Sequence, residues 1–290
     1  MAEETVNVLQ CINQNFPRLS KGQKRIAQFI TGEFDRAAFM TAAKLGSEVG
    51  VSESTVVRFA NALGFGGYPA LQAAMQEVIK TKLTTVQRVE MASQLAGDGD
   101  ILKSMMKSDM ENIRSTLEIV DSKSFQEVVQ TIFEARTVYI VGLRSSTSLA
   151  QYMGFYLNLV LDNVNVVGYG ISDIFEQLLR VSKDDLVIGI SFPRYSQRTV
   201  EAIRYAREEG ATIIGITDST LSPVAELSDH CLMARSNMVS FVDSLVAPLS
   251  LINALIVAVG MGKQEETKDY FKKLEDIWSR YSIYNVNSKG

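Results

Sequence analysis

The chain has 290 residues, 46% of them hydrophobic and 21% charged, which is the composition of a globular protein and excludes a disordered one. This length predicts two domains, each able to bury a core of its own. A formal net charge of −4 does not by itself indicate a nucleic-acid binder. The two cysteines, Cys11 and Cys231, provide no disulfide framework and favour a reducing, cytoplasmic compartment. The N-terminus is acidic and lacks the apolar run of a signal peptide.

The first 80 residues show only helical periodicity, and within them two short helices are joined at a glycine. Thr41 predicts the start of the first helix, and Gly50, which tolerates a positive φ, predicts its end. Ser52 predicts the start of the second helix, which ends near Leu63. Two short helices joined in this way form a helix-turn-helix, whose second helix enters the major groove of DNA.

The polar face of this second helix supplies side chains that reach base edges or phosphates. Arg58 suits a guanine or a phosphate, and the hydroxyls of Ser54 and Thr55 suit either kind of group. We therefore predict DNA contacts from Lys44, Ser52, Ser54, Thr55, Arg58 and Asn61. The alternative is a helical packing module with a solvated face, because residues 1–80 hold eight lysines and arginines against seven acidic residues.

A stretch of low apolar density over residues 81–100 ends in Gly97-Asp98-Gly99-Asp100 and predicts a linker. It separates a helix-turn-helix domain over 1–80 from a second domain over 101–290. The second domain opens with an amphipathic helix over 101–120, whose pattern suits packing against a partner chain.

From residue 137 onward, apolar strands alternate with helices, which predicts a doubly wound α/β fold built on a parallel sheet. The predicted strands are 138–141, 164–167, 186–190, 212–216 and 231–233. The predicted helices are 150–161, 173–181, 198–209, 222–227 and 243–261. We interpret the apolar stretch from Leu245 to Gly262 as a buried helix rather than a membrane span.

Two predicted strands end in loops that carry an arginine and several hydroxyls. Strand 138–141 leads into Gly142-Leu143-Arg144-Ser145-Ser146, and strand 186–190 leads into Ser191-Phe192-Pro193-Arg194-Tyr195-Ser196. Doubly wound sheets bind ligands beyond the carboxyl ends of the strands, where the strand order reverses. If the order is 2-1-3-4-5, the two loops flank that reversal, beside helix N-termini that favour anions. The predicted ligand-binding residues are Arg144, Ser145, Ser146, Ser191, Arg194, Tyr195, Ser196 and Thr199. The alternative is that these serines only cap helices.

The chain resembles a known family. The segment LSKGQKRIAQFI…VGVSESTVVRFANALGFGGYPALQ is similar to the helix-turn-helix of RpiR/MurR-type bacterial transcriptional regulators, and the C-terminal half resembles their sugar isomerase (SIS) domain. The resemblance covers nearly the whole chain. It implies an all-α helix-turn-helix domain followed by a doubly wound SIS domain. It also implies a homodimer or homotetramer that binds double-stranded operator DNA through residues 52–63, under the control of a small metabolite, usually a phosphosugar.

The ligand loops depart from the pattern of that family. SIS loops commonly read Ser-x-Ser-Gly-x-Thr after the third strand, whereas here Pro193 replaces the second Ser and Arg194 replaces the Gly. The first loop commonly reads Gly-x-Gly-x-Ser, whereas here it reads Gly-Leu-Arg-Ser-Ser. Arginine binds phosphate and carboxylate equally well in bidentate geometry. We therefore expect a small anion, contacted by arginine side chains as well as by the backbone.

Some SIS domains are sugar-phosphate aldose–ketose isomerases, which is the alternative function. Isomerisation needs a general base near a sugar carbon. The one histidine, His230, begins a predicted strand and so lies at the end of the sheet opposite the ligand loops. Asp243 and Ser244 follow the last strand, where they either close the pocket or, in the case of Ser244, cap the next helix. No Cys/His cluster predicts a metal, and no glycine-rich phosphate loop predicts a nucleotide cofactor.

We therefore predict a ligand-responsive DNA-binding regulator without catalytic residues or cofactor. A third class, a protein that regulates an enzyme by contact, would show no DNA binding.

Overall fold

The computed structural model describes residues 8–80, 84–89, 100–237 and 242–284. It divides into two compact units, Met1–Glu90 and Met91–Gly290. This division falls within the predicted linker, most of which lies outside the described residues, as does the acidic N-terminus. The exact domain limits therefore stay a prediction.

The described part of the first unit is helical. Its elements are α1 (Val8–Asn15), a 3₁₀ turn (Phe16–Arg18), α2 (Lys21–Gly32), α3 (Phe34–Ala37), α4 (Ala42–Val49), α5 (Glu53–Ala62) and α6 (Tyr68–Lys80). The Thr41 side chain caps α4, and the Ser52 side chain caps α5. Leu45 of α4 and Phe59 of α5 are fully buried, so each helix turns its apolar face inward. The two predicted helices are confirmed.

The second unit alternates helices and strands around one sheet. Its elements are α7 (Ile101–Ile119), α8 (Ser122–Glu134), β1 (Val138–Val141), a 3₁₀ turn (Arg144–Ser146), α9 (Thr147–Leu157), β2 (Val164–Val167), α10 (Ile174–Gln177), β3 (Leu186–Ile190), α11 (Gln197–Glu208), β4 (Thr212–Thr217), α12 (Pro223–Leu227), β5 (His230–Met233), α13 (Val246–Gly262) and α14 (Gln264–Arg280). The strand order is β2-β1-β3-β4-β5, and every neighbouring pair is parallel. The predicted doubly wound sheet is confirmed, and its strand order reverses between β1 and β3.

Both faces of the sheet are covered, as the apolar strands require. Alternate residues point to opposite faces, so Ile188 packs with α8, α9 and α13 on one side, and Val187 packs with α11 and α12 on the other. Helix α13 is the stretch interpreted as a buried helix, and Leu255 and Val259 on its inner face are fully buried. Among the described residues, none of the helices is both long and apolar enough to cross a membrane.

Several predicted helix limits were wrong, and tight turns or competing hydrogen bonds explain them. Helix α9 ends at Leu157 because the Leu159 and Val160 N–H groups bond three residues back, which closes 3₁₀ turns. Helix α10 has four residues, since the Leu179 N–H bonds the Glu176 carbonyl in the same tight way. Helix α13 begins three residues later than predicted because the Ser244 carbonyl and hydroxyl are engaged elsewhere.

Candidate functional site

The turn between α4 and α5 is held by close packing. Gly50 ends α4 with φ 71°, a left-handed conformation that favours glycine. The Arg25 guanidinium, from α2, donates to the Gly50 carbonyl with Nη2 and O 2.9 Å apart. A Cβ at Gly46 would lie 2.8 Å from the Val51 carbonyl oxygen, so the chain passes too close for a larger residue. The turn therefore sets the angle at which α5 leaves α4.

The N-terminus of α5 carries a group of connected hydroxyls. The Ser52 Oγ accepts from the Thr55 N–H at 3.3 Å and lies 2.9 Å from the hydroxyls of both Ser54 and Thr55. The Arg58 Nη2 lies 3.5 Å from the Thr55 Oγ1, and the side chains of Arg58 and Asn61 are exposed. The structure therefore brings five of the six predicted DNA-binding residues onto one helix surface.

Lys44, the sixth predicted residue, is exposed on α4. The first turn of α2 lies against the start of α5, since a Cβ at Gly22 would lie 3.4 Å from the Thr55 Cγ2. Lys21, exposed next to Gly22, thus adds a cation beside the same helix end. Contact of any of these residues with DNA stays a prediction.

In the second unit, the loops after β1 and β3 lie at the carboxyl ends of adjacent strands. The Leu143 N–H donates to the buried Thr199 Oγ1 at 3.3 Å, which ties the first loop to α11. A Cβ at Gly142 would lie 2.8 Å from the Ser146 carbonyl oxygen, and the Ser146 residue is buried. The two loops therefore meet at the reversal point of the sheet, as the sequence predicts.

Hydroxyl groups of the second loop form hydrogen bonds with the backbone of the same loop and of the helix that follows it. The Ser191 Oγ accepts from the Ser196 N–H at 3.1 Å, and the Ser196 Oγ accepts from the Thr199 N–H at 3.4 Å. The Tyr195 hydroxyl donates to the Asp218 Oδ1 at 2.9 Å. Capping and loop-fixing roles are thus real for Ser191, Ser196 and Thr199, and their contact with a ligand stays a prediction.

The two loop arginines share an unusual backbone conformation. Arg144 has φ 61° and Arg194 has φ 63°, and among the described residues other than glycine only Ser282, with φ 51°, is also in the positive-φ region. This conformation costs a non-glycine residue about 1–2 kcal/mol. The side chains of Arg144, its neighbour Ser145 and Arg194 are exposed. Each loop therefore presents a guanidinium from a position where glycine would be more stable.

Sequence reasoning missed Asp218, which is buried directly after β4 and joined to the ligand loop through Tyr195. The signal was present, because polar residues follow the apolar strand β4 as they follow β1 and β3. Burial, with a smaller contribution from the Asp218 charge, raises the pKa of the Cys231 thiol to about 11. The carboxylate thus lies inside the sheet edge rather than on its surface.

Two further predictions concern residues away from the loops. The His230 Nδ1 lies 3.9 Å from the Glu127 Oε2, at the amino end of β5 and opposite the ligand loops. The Ser244 hydroxyl donates to the Asp109 Oδ1 at 2.6 Å, a partner on α7 that sequence reasoning did not identify. No group of three or more Cys, His, Asp and Glu side chains in the described ranges is arranged to hold a metal ion.

Comparison with known proteins assigns each of the two units to a known domain type. The helix-turn-helix domain of the rpiR family matches residues 6–82, and the SIS domain matches residues 131–258. The chain belongs to the RpiR family. HexR of Pseudomonas aeruginosa, an HTH-type transcriptional regulator, is 23% identical over 293 residues, which cover 97% of this chain and 99% of HexR. This RpiR-family chain is accordingly a helix-turn-helix transcriptional regulator with a SIS domain.

Two solved structures show the same folds. The sugar isomerase domain of an RpiR transcription factor from Sphaerobacter thermophilus is 29% identical, with a TM-score of 0.56, over 59% of this chain and 96% of that one. The Vibrio vulnificus NanR protein, solved in complex with ManNAc-6P, is 20% identical, with a TM-score of 0.58, over 97% of this chain and all of that one. The similarity to NanR covers both units of this chain, whereas the similarity to the Sphaerobacter thermophilus domain covers 59% of it.

Proposed function

We propose that this regulator binds operator DNA through α5 and that a small anionic carbohydrate metabolite, of the sugar-phosphate class, controls its operator affinity. The anion binds between the loops that follow β1 and β3. One observation carries the proposal: Arg144 and Arg194 stand in positive-φ conformations on both sides of the strand reversal. A residue kept in a costly conformation is explained by what its side chain does.

The surroundings favour an anion of this class. Helix α11 begins at the second loop, and its N-terminus adds the positive end of a helix dipole to the two guanidiniums. Ser145 adds an exposed hydroxyl for a sugar or phosphate oxygen. NanR, which shares the fold of this chain, was solved with ManNAc-6P, a phosphorylated sugar. A phosphate takes bidentate hydrogen bonds from arginine, and the hydroxyls suit the sugar.

The proposed mechanism is a population shift in a homodimer. The Leu143–Thr199 and Ser191–Ser196 hydrogen bonds join the two loops into one unit, so an anion that draws both arginines inward reorients that unit. If the ligand favours one packing of the dimer, the spacing of the two α5 helices on an inverted repeat changes with it. A coupling of about 1–3 kcal/mol corresponds to a 5- to 150-fold change in operator affinity.

We further propose that the protein is not an isomerase and that it acts in the cytoplasm. His230, a typical general base, lies at the amino end of β5, away from the loops. The buried carboxylate of Asp218 accepts a hydrogen bond from the Tyr195 hydroxyl through Oδ1. Incubation with aldose and ketose phosphates, followed by proton NMR, should show no interconversion. Turnover that exceeds a protein-free control would make the isomerase the better assignment.

Operator binding in the presence of sugars tests the proposal. Fluorescence anisotropy would follow the full chain on DNA fragments from around its own gene, with ManNAc-6P, other hexose phosphates or the unphosphorylated sugars. We expect at least one sugar phosphate to change the operator Kd five-fold or more, and its unphosphorylated form to have no effect. Specific DNA binding that every sugar phosphate leaves unchanged, despite measurable binding of the sugar phosphate, would refute the control mechanism.

A further inference from the structure

The loop between β2 and α10, residues 168–172, presents two large apolar side chains to solvent. Tyr169 is 70% exposed, and Ile171, at 111%, is as exposed as in an extended peptide. We call residues 168–172 the β2 loop. One exposed apolar residue is ordinary on a protein surface. A fully exposed isoleucine two residues from an exposed tyrosine, however, is stabilised by whatever covers both, because apolar area is then removed from water.

The β2 loop begins beside the loop that follows β1. Parallel pairing sets Val167, the last residue of β2, against Val141, the last residue of β1. The two following loops therefore leave the sheet side by side at its carboxyl edge. Leu143 of the loop after β1 packs in the same buried cluster as Val167 and Ile174 of α10. The β2 loop thus borders the proposed anion site on the side of β2.

The segment that ends the β2 loop is bonded to the helix after β3. Asp173, which caps α10, accepts a hydrogen bond from the Arg198 Nη2 at 2.6 Å. Arg198 lies in the first turn of α11, two residues after Ser196. Its guanidinium also lies 5.0 Å from the centre of the Phe175 ring. The β2 loop therefore runs from the strand beside β1 to the first turn of α11, along the edge of the proposed anion site.

One side chain fixes both ends of the β2 loop. The Gln177 Oε1 accepts from the Gly168 N–H at 3.1 Å. The Gln177 Nε2 donates to the Gly168 carbonyl at 2.7 Å and to the Ser172 carbonyl at 3.2 Å. The three residues between these ends, 169–171, are all exposed. A loop with such a fixed base moves at its tip while its ends stay in place.

Two glycines flank Tyr169, and the present conformation requires neither of them. Gly168 and Gly170 are not among the glycines with positive φ, and a Cβ on either would meet no atom within 4 Å. At Gly142, by contrast, a Cβ would lie 2.8 Å from a backbone oxygen. Glycine widens the set of conformations open to a loop, so Tyr169 can change its position at little cost.

We propose that the β2 loop closes on the ligand and that Tyr169 and Ile171 recognise the sugar part of it. The arginines of the other two loops bind the phosphate. The tyrosine ring packs against the C–H face of the sugar ring, and the isoleucine packs against a methyl or acyl substituent. The ligand class is therefore a phosphorylated sugar with apolar surface, rather than a bare anion. This inference rests on the proposed function, because it needs a sugar phosphate between the loops after β1 and β3.

This division of contacts predicts how the site selects its ligand. A guanidinium binds a phosphate in the same way whatever the phosphate is attached to. Ligand sites bury most of a ligand against apolar and aromatic side chains, and a few polar groups fix its orientation. Selection among phosphorylated compounds must therefore come from the groups that touch the rest of the molecule. In the β2 loop, Tyr169 and Ile171 are the side chains suited to that contact.

Removal of both side chains tests the proposal. Isothermal titration of the full chain would use ManNAc-6P, other hexose phosphates and inorganic phosphate. The double variant Tyr169→Ala, Ile171→Ala should bind the sugar phosphate about ten-fold more weakly or worse, and inorganic phosphate unchanged. Tyr281→Ala, Ile283→Ala is the matched control, since it removes the same residue types at the same spacing, 67% and 57% exposed. It should keep full affinity. Thermal unfolding without ligand should be unchanged in both variants, because the replaced side chains are exposed.

The outcomes separate this inference from the proposed function. A wild type that binds none of the sugar phosphates would refute the proposed function and this inference with it. A wild type that binds one, with a Tyr169→Ala, Ile171→Ala variant that binds it equally well, would overturn this inference alone. An equal loss of affinity for inorganic phosphate and for the sugar phosphate would also overturn it, because the sugar contacts would then not be the cause.

A fluorescent probe in the β2 loop tests closure itself. Trp278→Phe removes the one tryptophan of the chain, and Tyr169→Trp then reports from the loop alone. ManNAc-6P, or the first sugar phosphate that the wild type binds, should shift the emission to shorter wavelength, and inorganic phosphate should not. An unshifted spectrum at saturating sugar phosphate would overturn closure. Emission already at short wavelength without ligand would show that another part of the assembly covers the loop, and it would overturn the proposal as well.

Discussion

The turn of the helix-turn-helix and the loops at the sheet edge use the same backbone conformation in opposite ways. At the turn, φ is 71° and the residue is Gly50. At the sheet edge, φ is 61° and 63°, and the residues are Arg144 and Arg194. Glycine adopts this region without a steric penalty, whereas a side chain costs about 1–2 kcal/mol. The turn of the helix-turn-helix therefore has little backbone strain, whereas the loops at the sheet edge are strained at both arginines.

The difference shows where each region carries its function. At the turn, glycine only directs the chain, and the candidate DNA contacts come from the following helix, in ordinary helical conformations. At the sheet edge, the residue in the left-handed conformation is itself the charged group. The backbone strain at Arg144 and Arg194 thus lies on the charged residues themselves, which supports a role of these residues toward a ligand.

The largest expected effect concerns an arginine that does stabilise the fold. At the amino end of β3, the Arg136 guanidinium donates two hydrogen bonds to the buried Asp185 carboxylate. The Nε–Oδ1 distance is 3.0 Å and the Nη2–Oδ2 distance is 2.6 Å. Burial raises the pKa of Asp185, but the hydrogen bonds from Arg136 and the Ser182 N–H lower it more, so the net pKa falls below its usual value. Asp185→Asn should lower the free energy of unfolding at pH 7 by about 3 kcal/mol.

Acid titration checks the origin of this effect. The folded pKa of Asp185 is depressed, so its stabilisation is complete above the unfolded pKa of about 3.9 and is lost as the pH falls below that value. In urea unfolding, the stability difference between the wild type and the Asp185→Asn variant should therefore begin to shrink below about pH 4 and disappear once the pH lies below the folded pKa of Asp185. A gap that persists in acid would show that packing, rather than the carboxylate charge, makes the difference.

The next largest effect is expected on operator affinity, and it tests whether side chains of the helix after the glycine turn contact DNA. Arg58→Ala should weaken operator binding by about 2 kcal/mol, roughly 30-fold, because it removes a base or phosphate contact. Affinity for a sugar phosphate should not change. Arg36→Ala is the matched control, since Arg36 is an exposed arginine of the same unit that pairs with Glu48 at 2.8 Å. Equal operator binding by wild type and Arg58→Ala would remove Arg58 from the DNA site.

The smallest expected effect is on stability, when arginine, the residue that adopts positive φ in the sheet-edge loops, replaces the glycine of the turn. Gly50→Arg places a side chain in the left-handed conformation and should lower the stability of the first unit by about 1 kcal/mol. Thermal unfolding of the full chain, followed by helical circular dichroism, would report the change. Unchanged or increased stability would mean that positive φ carries no penalty in this protein, and the positive φ of Arg144 and Arg194 would then no longer indicate a ligand-binding role.

Sequence reasoning predicted the elements that depend on local pattern. The limits of β1, β2 and β3 were predicted correctly, because a buried parallel strand is a short apolar run between polar residues. Helices α4 and α5 were predicted from Thr41, Gly50 and Ser52, whose capping roles depend on neighbours close in sequence. Both arginine loops were also located correctly beside the strand reversal.

Contacts between distant segments were beyond such reasoning. Asp109, Asn112 and Thr116 look like solvated polar residues of a helix, yet they bond a segment more than 100 residues away. Asp218 and Tyr195 likewise meet only after β3 and β4 pair. Nor does the residue type of Arg144 or Arg194 predict a positive φ, since arginine normally avoids it. Tertiary packing decides all of these features.

The double variant Arg144→Gly, Arg194→Gly tests the central claim most directly. Urea unfolding should show the variant more stable than the wild type by about 1 kcal/mol or more, because glycine relieves the strain at both loops. Isothermal titration with ManNAc-6P, or with the first sugar phosphate that the wild type binds, should show affinity reduced at least ten-fold. Ser282→Gly, which relieves positive φ away from the loops, should gain stability and keep full affinity. A double variant that binds the sugar phosphate as tightly as the wild type, or that is less stable, would contradict the claim that these arginines are kept for the ligand.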